Sequence, residues 1–111
     1  MINKDVIAAL KGLNIPVSFI TYSGTASTYI TFTVIDENSA LDVDDVETYT
    51  RYSVQVDVFS KNDYTELVSK VITNMEESNF KRVLARDFYE PDTKLFHKVI
   101  RFSYFIKQKT N

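Results

Sequence analysis

The 111-residue chain has no cysteine and no tryptophan, one histidine, two glycines and two prolines. Without cysteine there can be no disulfide, no thiolate metal ligand and no cysteine nucleophile. A single histidine excludes a histidine cluster for zinc and any His–Cys pair. Two glycines leave no phosphate-cradling loop. No segment approaches the roughly 18 consecutive apolar residues that a membrane span requires. The N-terminal stretch "MINKDVIAALKGLNIPV" lacks the long apolar run of a secretory signal. These absences set the expectation of a soluble protein inside a cell, or in something assembled there, with no cofactor and no membrane partner.

What is present is ordinary for one folded domain spanning 1–111. Hydrophobic residues make up 44% and charged residues 25%. A globule of this length has a radius of gyration of roughly 13 Å and buries about two thirds of its unfolded surface. Aromatics reach 14%, as eight Phe and seven Tyr. Tyrosines serve contact surfaces, through apolar area plus a hydroxyl, and they also form strands well.

The net charge of −2 hides an asymmetry. Residues 1–80 carry five Lys/Arg against twelve Asp/Glu, whereas residues 81–111 carry eight against three. Such halves either neutralise each other across strands or bring one subunit's acidic side to another's basic side, as in a head-to-tail ring. The acidic total speaks against binding nucleic acid through phosphate contacts, and no sequence-specific nucleic acid is expected as a partner.

Along the chain, Val6, Ile7, Leu10 and Leu13 form a helical stripe behind Asn3 as N-cap, with Asp5 in the first turn and Gly12 and Pro16 closing the end. "VSFITY" (17–22) and "TYITFTVIDE" (28–37) read as two strands of a hairpin across "SGTAS". Six carboxylates follow between Asp36 and Glu47, and 38–47 reads as a mobile acidic loop. Asp42, Asp44 and Asp45 there resemble a calcium loop only superficially, because the tight-turn glycine and the closing glutamate are missing.

The clearest strand is 48–59. Tyr52, Val54, Val56 and Val58 alternate with Arg51, Ser53, Gln55 and Asp57, so one face is core and the other meets water or a partner. At Ser60 the rhythm changes. Ser60 and Asp63 have capping-box spacing, and Tyr64, Leu67, Val68, Val71, Ile72 and Met75 fall on one helical stripe ending near Asn79. That helix must fold back over the valine face. Strands at 81–90 and 94–106 flank the turn "EPDT", and 107–111 reads as a frayed tail. The last strand has one apolar face interrupted by Lys98 and one mixed face holding His97, Val99, Arg101, Ser103 and Phe105. The order α-β-β-β-α-β-β gives an α+β fold, a mostly antiparallel sheet of about five strands with two helices packed on it.

A catalytic set is hard to assemble from these residues. His97 with Asp57 or Asp87 and a serine makes a hydrolase-like triad on paper, but no nucleophile elbow or oxyanion loop accompanies it. His97 is therefore read as a strand residue, and no metal or catalytic site is expected.

The stretch "RYSVQVDVFSKNDYTELVSKVITNMEESNF", followed by "DFYEPDTKLFHKVIRFSYFI", resembles the tail-completion proteins (tail terminators, or head-to-tail joining proteins) of long-tailed bacteriophages of Gram-positive bacteria. The resemblance rests on "VQVDVFSKNDY", on a helix ending in "ESNF" and on "LFHKVIRFSY", covering roughly residues 49–106. It implies a non-enzymatic α+β subunit that closes into a hexameric ring, caps the finished tail tube and meets the capsid connector. Its partners would be copies of itself, the tail tube protein and neck proteins, in the host cytoplasm during assembly and then at the head–tail interface of the virion. A neck adaptor or minor tail protein is the first alternative, and a small cellular binding module or enzyme the second. On this resemblance Arg51, Ser53, Gln55 and Asp57, with Arg101, are the expected ring interface or lumen. Asp42, Asp44 and Asp45 would belong to a docking element.

Overall fold

The alternation through Tyr52–Val58 forms the centre of the sheet. In a computed structural model, which describes residues 2–43 and 46–107, the elements are α1 (Ile2–Leu10) with a 3-10 turn at Lys11–Leu13, β1 (Val17–Phe19), β2 (Thr28–Val43), β3 (Val46–Ser60), α2 (Thr65–Glu77), β4 (Lys81–Glu90) and β5 (Leu95–Lys107). The five strands are ordered β1-β2-β3-β5-β4, and every pairing except β1–β2 is antiparallel. The expected α+β architecture and element order are therefore observed.

Both helices pack on the valine face. Val6 and Leu10 of α1, and Val68, Val71 and Met75 of α2, join Ile30, Phe32, Val54, Val56, Val58, Phe80, Ile100 and Phe102 in one buried cluster. Phe32, Val56 and Ile100 lie side by side across three strands, all fully buried. Each such side chain stabilises the fold by about 1.5–3 kcal/mol before entropy is counted. The Asn74 amide donates to the Ala9 carbonyl (3.1 Å) and so ties α2 to α1. Lys98, the interruption on this face, is satisfied by Asp87 at 3.1 Å.

Several local expectations are corrected. Ser60 ends β3 instead of capping α2; its hydroxyl pairs with Thr28 Oγ1 at 3.0 Å. The N-cap position of α2 is Tyr64, which makes no side-chain cap bond; the preceding Asp63 accepts at Oδ1 from the Thr65 amide (2.9 Å) and hydroxyl (2.7 Å). Asn3 lies inside α1, and Ile7 is 47% exposed, off the buried stripe. The turn after Leu13 is closed by Asn14 in the left-handed region, a conformation Asn tolerates.

The first two strands run parallel rather than as a hairpin, with Val17 opposite Ile30 and Phe19 opposite Phe32. Residues 20–27 carry the chain back to the start of β2. Ile20 enters the left-handed region (φ 68°) while its amide donates to the Phe32 carbonyl. The Tyr22 hydroxyl then accepts from the Ala26 amide at 2.9 Å, so the loop wraps the tyrosine ring. Gly24 sits against that ring, where a Cβ would collide with it.

The acidic segment is also corrected. Asp36–Val43 and Val46–Glu47 continue the β2–β3 ladder as a long ribbon, with Asn38 opposite Arg51 and Asp42 opposite Glu47. Asp44 and Asp45 lie outside the described residues, as does the tail beyond Lys107. The ribbon lengthens the molecule: its radius of gyration is 15.4 Å, above the roughly 13 Å of a globule this long.

Candidate interaction surface

The face of the sheet away from the helices is built in rows set by strand register. Tyr29, Phe59, His97 and Phe88 make one row, and Thr31, Asp57, Val99 and Arg86 the next. Thr33, Gln55, Arg101 and Leu84 follow, then Asp36, Ser53, Ser103 and Lys81. Asp36 belongs here because Ile35 is an extra, bulged residue that shifts the β2 alternation by one.

The first row is a stack of flat rings. Tyr22 lies on Tyr29 (4.3 Å between centroids), Tyr29 on Phe59 (4.8 Å) and Phe59 on the His97 imidazole (4.1 Å). Phe88 tilts against His97 at 6.0 Å. Offset rings at these spacings add to the stabilisation from burial alone.

Beside the stack runs a polar chain. Arg101 Nε donates to Gln55 Oε1 (3.1 Å), and Gln55 Nε2 donates to both Asp57 oxygens (3.0 and 3.2 Å). His97 Nε2 meets Asp57 Oδ2 at 2.5 Å, and its Nδ1 is 3.5 Å from Glu90 Oε2. A carboxylate oxygen accepts, so Nε2 carries the hydrogen toward Asp57. The side chains of Asp57 and His97 are only 12% and 16% exposed. A carboxylate this sheltered needs its hydrogen bonds, and here it has three.

Of the residues expected at an interface, the structure joins Gln55, Asp57 and Arg101 in this chain. Ser53 sits apart between Asp36 and Ser103. Arg51 lies between Asn38 and Phe105, with a buried Nε that finds no partner among the described residues. Asp42 is a strand residue of the ribbon. Of the paper triad, Asp57 does reach His97, while Asp87 is on the helix-covered face holding Tyr64 and Lys98. The other imidazole nitrogen faces Glu90, where a triad would need a hydroxyl. The geometry is that of a cross-strand brace. Sequence reasoning missed Glu90, whose signal is its place as the first residue of the "EPDT" turn, at the end of β4.

A second cluster closes the end of the helix-covered face. The Tyr64 hydroxyl donates to Asp87 Oδ1 at 2.6 Å, and Lys98 Nζ reaches Oδ2. These two hydrogen bonds hold the Asp87 carboxyl below its usual range. Burial, with the Asp87 charge beside it, pushes the Tyr64 hydroxyl well up. Burial likewise raises the Tyr104 hydroxyl, which donates to Asp5 of α1 at 3.3 Å.

Searches against family models and against curated protein sequences return no match. Among solved structures, the fold is similar to a chain in the virion of a native gene transfer agent particle, with a TM-score of 0.58 over 93% of this chain and 84% of that one, at 11% identity.

Proposed function

We propose that the protein is a non-enzymatic virion assembly subunit of a phage or prophage. It closes as a ring, with six copies as the resemblance implies, on the end of the finished tail tube and joins that tube to the capsid connector. The observation that carries this reading is a fold shared, over nearly its whole length, with a chain of a phage-like particle. Three features support it: a sheet face without a helix on it, a long acidic ribbon, and opposite charge in the two parts of the sequence. On this reading the exposed parts of the open face, around Arg101, Arg51 and Ser53, line the lumen or touch the tube. Gln55 and Asp57 hold that face in shape. The acidic ribbon with Asp42 docks to a neighbouring component, and Asp44 and Asp45 are proposed to take part in the same contact.

The test is assembly of the tail tube with and without the protein, followed by electron microscopy. Tubes of uncontrolled length in its absence and of fixed length in its presence support the proposal. Tube length indifferent to the protein refutes capping. Cross-links to the connector alone would then reassign it to the neck.

A further inference from the structure

The two lateral ends of the sheet are complementary to each other. At the β1–β2 end, Phe19 and the bulged Ile35 are 47% and 45% exposed. They line a shallow notch with Ile2 and Val34, rimmed by the exposed Asp36 and Glu37. At the β4 end, the strand bulges between Arg82 and Leu84, and the residue pushed out is Val83, 61% exposed. Around it Lys81, Arg82 and Arg86 are exposed. None of these three cations, nor Asp36 or Glu37, has an opposite charge within ion-pair distance among the described residues. Charges and bulges at both edges block the formation of a continuous sheet between copies. They leave an apolar knob with a basic rim and an apolar notch with an acidic rim.

Register places the two at one height. Val34 lies across from Val54, Val54 from Phe102, and Phe102 from Arg82. One row further, Asp36, Ser53, Ser103 and Lys81 are aligned in the same way. A second copy set beside the first, strands roughly aligned, therefore brings its knob to the notch with little sliding along the strand axis. We infer that the β4 knob of one copy seats in the β1–β2 notch of the next. The contact is heterologous, because the two patches differ, and its small axial offset favours closure into a ring over an open helix. This inference deepens the ring reading above and rests on it. It assigns subunit contacts to the sheet ends, leaving the open face for other components.

The experiment uses two surface variants of the full chain, each checked for an unchanged melting temperature. Val83→Glu spoils the knob, and Ile35→Glu spoils the notch. Each alone should lose about thirtyfold or more in self-association, the scale of a central contact residue. Mixed, they retain one live knob and one live notch, so sedimentation should show dimers of twice 12.8 kDa and nothing larger. A charge swap, Asp36→Lys and Glu37→Lys with Arg82→Glu and Arg86→Glu in one chain, should restore the association that either half abolishes. The inference is overturned if the mixed variants stay monomeric where the wild type associates, if either variant alone assembles normally, or if the wild type stays monomeric at millimolar concentration. If Val83→Glu still limits tube length as a ring, the knob and notch fail while the capping reading survives. If the wild type associates through this contact yet leaves tube length unchanged, the reverse holds.

Discussion

Replacing Asp57 by alanine tests whether the open face is a wet surface or a built one. A side chain on a solvated sheet face can be truncated at a cost within about 0.5 kcal/mol. Asp57 is not such a residue, since three hydrogen bonds from Gln55 and His97 converge on it and its side chain is 12% exposed. Asp57→Ala leaves the His97 Nε2–H and the Gln55 amide without their acceptor in a sheltered place. Stranding a buried partner costs about 1–3 kcal/mol, and with two donors stranded about 2 kcal/mol is a fair central value. A domain of this length melts lower by about 4 °C per kcal/mol lost, so the expected fall is about 8 °C.

The assay is thermal unfolding followed by circular dichroism, with two controls. Arg101→Ala, whose residue is exposed at the outer end of the chain, should move the midpoint by no more than about 2 °C. His97→Phe keeps a flat ring on Phe59 but removes the donor to Asp57. Combined with Asp57→Ala it should show a coupling energy of about 1 kcal/mol, because the second change removes what the first has already broken. The reasoning is refuted if Asp57→Ala melts within about 2 °C of wild type, or if the two single losses simply add. In that event Asp57 would be available for contact with a partner, as the sequence alone suggests.

Three further outcomes are expected. Val56→Asp puts a carboxylate between Phe32 and Ile100 in the fully buried row; it should leave the chain insoluble or without a cooperative melt, and a soluble, cooperatively melting variant refutes the packing. Tyr64→Phe removes a donor to Asp87. Because the Asp87 carboxyl is held below its ordinary range, this contribution is present above the ordinary value of about 3.9 and fades as pH falls through the lowered one. Asp87 is largely solvent-exposed, so the loss near neutral pH should stay below about 1 kcal/mol, and melting midpoints of mutant and wild type should converge at strongly acid pH. Ile20 is a β-branched residue in the left-handed region and 55% exposed. Ile20→Asn should raise stability by about 1 kcal/mol in chemical denaturation, and a loss of stability would mean that its exposed side chain supports the loop.

The central strand, the helix stripe and the turn before β5 were legible in the sequence because each is a local pattern. Val54, Val56 and Val58 alternate, Val68, Val71 and Met75 repeat at helical spacing, and Pro91 with Asp92 punctuates. What was illegible depends on partners distant in sequence. The parallel pairing of Val17–Phe19 with Ile30–Phe32 needs a return loop organised around the Tyr22 ring, which no turn motif announces. The acidic segment looks like a loop because carboxylates are poor strand formers, yet cross-strand pairing along β3 extends it. The bulge at Ile35 reassigns Asp36 to the open face, a change of one residue that alternation cannot foresee. Likewise, alternation placed Gln55 and Asp57 together on one side of their own strand, and His97 and Arg101 together on one side of theirs. Only the β3–β5 register makes these the same face.

That register also divides the open face into parts with different duties. Its centre is closed upon itself: Asp57 has its donors, His97 has a carboxylate at each nitrogen, and Phe59 is covered by Tyr29 and His97. Little is left there for a partner to satisfy. The two ends are unfinished. Phe88 is half exposed at one end, beside Glu90 and Asp92, and Phe105 is half exposed at the other, beside the unpartnered Arg51 Nε. Apolar rings at a surface next to polar groups of one sign are where a protein partner gains both burial and charge pairing. On the assembly reading proposed above, a middle whose polar groups are satisfied internally and two ends that are not is the distribution such a component needs. On that reading the middle would keep the geometry of each copy fixed while contacts form around it.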